Sequence, residues 1–114
     1  MEFSVSLKLN HIFRRLYKSD AVANGYLVLY ARKNHTATNR VGFTVGKKLG
    51  KAVVRNRVRR RLREVYRLNE SAVLPGYDIV MVARSKCIDA EFSKLTAAYL
   101  HLAKKAGLLR EDLQ

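Results

Sequence analysis

Ten lysines and arginines fall within the stretch Lys47–Arg67 (KKLGKAVVRNRVRRRLREVYR), against one acidic residue, Glu64, so ten minus one leaves a local charge of +9. The whole chain of 114 residues carries +14, and this stretch holds most of the excess. Guanidinium groups are planar forks of donors that grip phosphate in pairs and stack on flat rings. Like charges at i,i+4, as in Arg55, Arg59 and Arg63, repel one another, and no carboxylates are interleaved to offset them. The chemistry such a stretch offers is binding, and a polyanion outside the chain supplies the missing negative charge. Five or six phosphate contacts predict a steep salt dependence, with a log–log slope of roughly −4 to −5.

Other constellations give little. The nine acidic residues are scattered, and no pair shares a face of one element. His11, His35 and His101 do not cluster in sequence, and each reads as an ordinary surface or half-buried histidine. The lone Cys87 excludes an internal disulfide and a multi-cysteine zinc site, and reads as a small hydrophobe. Gly42, Gly46 and Gly50 recur every fourth residue, but no phosphate-loop Lys-Ser/Thr follows, so they read as strand and turn glycines. No catalytic residue and no metal site of the protein itself is expected. With no long apolar run, no signal-like start (MEFSVSLKLN) and one cysteine, the expected setting is cytoplasmic, and the chain reads as a single domain, 1–114.

The elements that position the cations follow from periodicity. Between Val53 and Leu68 there is no Gly or Pro. At about 100° per residue, Val54, Val58, Leu62, Val65 and Asn69 form one stripe, with Leu68 and Ala72 beside it. Asn56, Arg59, Arg60, Arg63 and Arg67 fall opposite, with Arg55 on the flank. Arg61 lies next to the buried stripe, where an apolar residue is expected, and its aliphatic stem can snorkel. Before this helix, Ser4–Leu9 alternates as an extended segment, Asn10 begins a short helix (HIFRRLYKS), and Asn24-Gly25 breaks the chain ahead of a strand, 26–33. A second strand, 40–45, runs antiparallel to the first, and Gly46 and Gly50 bracket a Lys47-Lys48-Leu49 loop. After the helix, Pro75-Gly76 is a stop signal, 78–84 (DIVMVAR) has the apolar run of a central strand, and Asp89 opens a last helix ending at Gly107. The order α-β-β-α-β-α makes an α+β two-layer sandwich.

Aromatic residues narrow the partner. Alternation puts Tyr26, Val28 and Tyr30 on one face of the first strand, opposite the core-forming Leu27, Leu29 and Ala31. Phe13 and Tyr17 share a side of the first helix. Rings on an open sheet face beside a cationic helix suit unpaired bases, hence single-stranded RNA more than duplex DNA. A membrane-surface helix would want bulkier apolar residues than this valine-rich stripe.

Val41–Arg67 closely resembles the signature of the bacterial ribonuclease P protein subunit family, through Lys47, Lys48, Gly50, Ala52, Val53, the run Arg55-Asn56-Arg57, and Arg59, Arg60 and Arg63. LKLNHIFRRLYKSDAVANGYLVLY and PGYDIVMVAR extend the likeness across the domain. The resemblance implies a ribosomal S5 domain 2-like fold, a small mixed sheet with a left-handed β-α-β crossover. It also implies a protein bound to a catalytic RNA that, with Mg²⁺, removes the 5′ leader of precursor tRNA. The expected contacts to the catalytic RNA are Lys47, Lys48, Lys51, Arg55, Asn56, Arg57, Arg59, Arg60, Arg63 and Arg67. A leader cleft is expected from Phe13, Tyr17, Tyr26, Val28 and Tyr30, with Arg55 at its edge. The competing reading is a basic ribosomal or ribosome-assembly protein, which needs no leader cleft; an unaided metal-dependent nuclease is disfavoured by the scattered carboxylates.

Overall fold

The computed structural model describes Ser4–Ser6 and residues 21–110. Phe13, Tyr17 and the short helix expected after Asn10 lie outside the described residues. Five strands among the described residues form one mixed sheet: β1 (Ser4–Ser6), β2 (Ala21–Ala23), β3 (Leu27–Lys33), β4 (Asn39–Thr44) and β5 (Tyr77–Ala83), in the order β1-β4-β5-β3-β2. Two α-helices among the described residues accompany them, α1 (Ala52–Leu68) and α2 (Phe92–Lys105).

The apolar run of β5 places it in the middle, as its sequence predicts. It pairs in parallel with β4, from Arg40↔Asp78 to Thr44↔Val82, and antiparallel with β3, from Leu27↔Ala83 to Lys33↔Tyr77. The β3 and β4 strands do run in opposite directions, but they are not neighbours, because β5 lies between them. The parallel pair β4–β5 is therefore joined through α1, the β-α-β unit that the resemblance implies.

Both helices lie on one sheet face. Leu27, Leu29, Val41, Ile79 and Met81 from the strands join Val58, Leu62, Val65 and Tyr66 of α1 and Leu95, Tyr99, Leu102 and Ala103 of α2 in one apolar cluster. Tyr66, not Leu68, completes the buried stripe: Tyr66 is fully buried and Leu68 is 56% exposed. Helix geometry explains the swap, since Tyr66 lies roughly 40° from Leu62 around the axis and Leu68 roughly 120°. The Tyr66 ring meets Tyr99 edge-on, with centroids 6.3 Å apart, and its hydroxyl accepts from Asn39 Nδ2 at 3.3 Å. Glu91, not Asp89, occupies the N-cap position of α2. Its end is as predicted: Gly107 adopts φ 73°, its N–H donates to the Lys104 carbonyl at 3.1 Å, and the Leu108 N–H donates to that of Ala103 at 2.9 Å.

The second sheet face carries the other residue of each strand alternation. Register aligns Val28, Val82 and Thr44 in one row and Tyr30, Val80 and Gly42 in the next. Val80 is fully buried although it stands outside the helix-side cluster.

Candidate RNA interface

The C-terminal end of β4 delivers the chain to the cationic surface. Gly46 and Gly50 flank a single 3-10 turn, Lys47–Leu49, and Lys51 then takes the N-cap position of α1 without a side-chain cap. The first turn of α1 holds no acidic residue, so the positive end of the helix dipole adds to the lysines instead of being neutralised. Arg55 Nε donates to the Gly50 carbonyl at 3.1 Å, which ties this loop to the helix.

Lys47, Lys48, Lys51, Asn56, Arg57, Arg60, Arg63 and Arg67 are exposed, and Arg55 and Arg59 are half-buried. Asn56, Arg59, Arg60 and Arg63, with Val53, line a groove of about 460 Å³. Within it Arg59 Nη1 donates to Asn56 Oδ1 at 2.8 Å, and the Arg63 guanidinium lies over the Phe43 ring, 5.8 Å from its centroid. Arg57 lies on the opposite flank of α1 from Arg55, toward Arg61. Arg67 alone of the predicted contacts forms an ion pair among the described residues, with Glu64 one turn earlier. That hydrogen bond lowers the Glu64 pKa and raises that of Arg67. Both groups are at the surface, where such pairs contribute little.

The cleft set divides. Val28 and Tyr30 stand together on the sheet face away from α1 and α2. Tyr26 does not join them, correcting the alternation. Asn24 Oδ1 accepts from the N–H groups of Tyr26 and Leu27, both at 3.0 Å, so the strand starts one residue later. The Tyr26 ring packs against the helix-side core, with Lys86 Nζ 5.4 Å from its centroid. Arg55, in the first turns of α1, lies toward the end of the sheet marked by the row Val28–Val82–Thr44.

Three features are not apparent from the sequence. Arg61 does not merely snorkel: it donates through Nη1 to the Cys87 carbonyl at 3.5 Å and through Nη2 to that of Ala90, fastening α1 to the β5–α2 connection. Arg40, among the cations outside the basic stretch, is paired with Asp78. Val53 is 74% exposed within the cationic groove. Cys87 is buried, as expected of a small hydrophobe, and its thiol donates to the Tyr26 carbonyl at 3.0 Å. Burial pushes its pKa up. No three His, Cys, Asp or Glu side chains gather among the described residues, and no helix among them is long and apolar enough to cross a membrane.

A mixed sheet with α1 and α2 on one face, α1 turning an almost wholly cationic side outward, defines a small α+β nucleic-acid-binding protein. The Ribonuclease P family model matches residues 1–107. The ribonuclease P protein component of Alkaliphilus oremlandii (strain OhILAs) is 49% identical over 104 residues, 90% of this chain and 91% of that protein. That of Clostridioides difficile (strain 630) is 45% identical over 104 residues, again 90% and 91%. The solved RNase P protein of Staphylococcus aureus superposes with a TM-score of 0.84 at 33% identity, covering 94% of this chain and 99% of that one. The Thermotoga maritima protein gives 0.80 at 32% identity, covering 88% and 96%. The chain belongs to the ribonuclease P protein family. It is the protein subunit of that ribonucleoprotein, acts in tRNA processing and associates with the ribonuclease P RNA; the ribosomal alternative is not favoured.

This partner separates the structural arginine from its neighbours. Arg61→Ala removes two charge-assisted bonds to carbonyls and is expected to cost about 2 kcal/mol of stability. Urea titration should show a lower midpoint at an unchanged slope, while the salt dependence of RNA binding stays as in the wild type. A salt slope reduced by a full unit would instead make Arg61 an RNA contact.

Proposed function

We propose that this subunit binds the ribonuclease P RNA through the outward side of α1 and the Lys47–Lys51 segment, and holds the single-stranded 5′ leader of precursor tRNA against the sheet face of Val28 and Tyr30. Phe13, Tyr17 and Arg55 complete that cleft, while Tyr26 has a core role. The observation that carries this reading is that eight of the nine cations among the predicted RNA contacts are in no ion pair among the described residues, and three of them line one groove with Asn56. Cations left unneutralised in this way are matched to phosphate.

The RNA makes the cut, with Mg²⁺ supplying Lewis-acid and water-activating chemistry where it is bound. The cationic groove does not fit that ion. Mg²⁺ takes oxygen ligands, the groove offers no carboxylate, and its one amide oxygen already accepts from Arg59. On this reading the Mg²⁺ is held mainly by the RNA. What the protein contributes is electrostatic and positional. Catalytic RNA and precursor RNA are both polyanions, and a +14 subunit between them screens their repulsion and lowers the Mg²⁺ required. Leader contacts favour precursor over product, because only the precursor has a leader to hold. The work is cytoplasmic, a setting in which a lone reduced thiol is ordinary.

Incubated alone with precursor tRNA and Mg²⁺, the protein should cut nothing specifically; adding the RNA should give a single cut at the mature 5′ end. Tyr30→Ala should weaken binding of leader-bearing substrate by about 1–3 kcal/mol, with little effect on tRNA that lacks a leader. Cleavage by the protein alone, or equal weakening for both substrates, would overturn the proposal.

A further inference from the structure

Val53 is out of keeping with its surroundings. It is 74% exposed on a helix side otherwise made of arginines and one asparagine. A β-branched residue there gains neither burial nor helix propensity. With Asn56, Arg60 and Arg63 at i+3, i+7 and i+10, it forms one ridge roughly 15 Å long. With Arg59, these residues enclose the groove of about 460 Å³.

The polar groups of that groove are oriented. A guanidinium only donates, so the atom that Arg59 meets in Asn56 must be the amide oxygen. Asn56 thereby presents its Nδ2 as the donor it can offer a ligand. An apolar isopropyl group, an amide donor beside it and two guanidiniums further along match the parts of one nucleotide: a base face, a base-edge acceptor and the adjoining phosphates. In a paired helix the base faces are stacked away, so the nucleotide must be unpaired.

We infer that Val53 seats one unpaired nucleotide of the ribonuclease P RNA, with Asn56 Nδ2 donating to its base and Arg60 and Arg63 taking the phosphates beside it. This rests on the RNA-facing role proposed for α1, and the two are separable by charge. Binding of the full-length chain to the ribonuclease P RNA is measured across a salt series for the wild type, Val53→Ser, Val53→Ile and Arg60→Ala. Val53→Ser should bind about fivefold more weakly at an unchanged salt slope, since it removes apolar contact and no charge. Val53→Ile should keep wild-type affinity, and Arg60→Ala should lower the slope by about one unit. A photoreactive phenylalanine analogue at position 53 should crosslink to an unpaired nucleotide. Wild-type affinity for Val53→Ser, or a crosslink to a base-paired nucleotide, overturns the seat while the Arg60→Ala result keeps the RNA-facing role. An unchanged slope for Arg60→Ala overturns both.

Discussion

Alanine at Arg59, Arg60 and Arg63 together will reduce the salt slope of binding to the ribonuclease P RNA by nearly three units, about 0.9 for each phosphate no longer neutralised. Over a fourfold rise in salt, from about 50 to about 200 mM, the wild type should then lose roughly fortyfold more affinity than the variant. The three side chains are well placed for such a test because the fold does not lean on them. Arg60 and Arg63 are exposed, Arg59 is half-buried, and all three point away from the core side of α1. Their removal also relieves repulsion between like charges one turn apart, so the thermal midpoint should hold or rise slightly. The stack of Arg63 on Phe43 and the hydrogen bond from Arg59 to Asn56 are removed with them, and Arg63→Lys, which keeps the charge without the planar fork, isolates the stack. A slope unchanged in the triple variant would mean that the RNA binds another surface. A midpoint lowered by many degrees would mean that the arginines hold the helix in place.

What is legible in the sequence is local. Charge density between Lys47 and Arg67 needs no tertiary knowledge, and the 3.6-residue period of α1 and α2 follows from one buried side each. The run through Ile79–Met81 reads as central because both its faces are apolar. Strand order is not legible, since alternation assigns faces and says nothing about neighbours; β5, more than thirty residues after β4 begins, inserts between β3 and β4. The three-residue strand β2, with Val22 its single large apolar residue, has almost no signal of its own and exists through its pairing with β3. Alternation misplaces Tyr26 because Asn24 caps the strand start, a hydrogen bond that periodicity does not contain. Arg61 is anomalous by its helix position alone, and makes sense only once carbonyls 26 and 29 residues further on are brought to it. The cationic half of the site is thus written in composition, while the cleft half depends on register between strands.

Arg40→Ala should be the most destabilising of these substitutions, costing about 3–4 kcal/mol, although Arg40 looks in the sequence like one more RNA contact. Asp78 sits near the start of β5 with its side chain only 8% exposed. It accepts from Arg40 Nε at 2.6 Å, Arg40 Nη2 at 2.7 Å and Asn34 Nδ2 at 3.1 Å. The pair spans the parallel strands β4 and β5 at Arg40↔Asp78, and Asn34 carries it into the β3–β4 turn, where Asn34 Oδ1 accepts from the Thr36 N–H and hydroxyl. Removing Arg40 strands a carboxylate that water can barely reach. Removing Asp78 instead frees a guanidinium that is already 33% exposed and can rehydrate, so Asp78→Ala should cost less, about 2 kcal/mol. Replacing both, as Arg40→Met with Asp78→Leu, should cost less than Arg40→Ala alone, because no charge is left unpaired. Urea titration of the four proteins measures this ordering, and simple additivity would mean that the two side chains do not act as a pair. Below the unfolding transition, Arg40→Ala should bind the ribonuclease P RNA with the wild-type salt slope, because a guanidinium committed to Asp78 neutralises no phosphate.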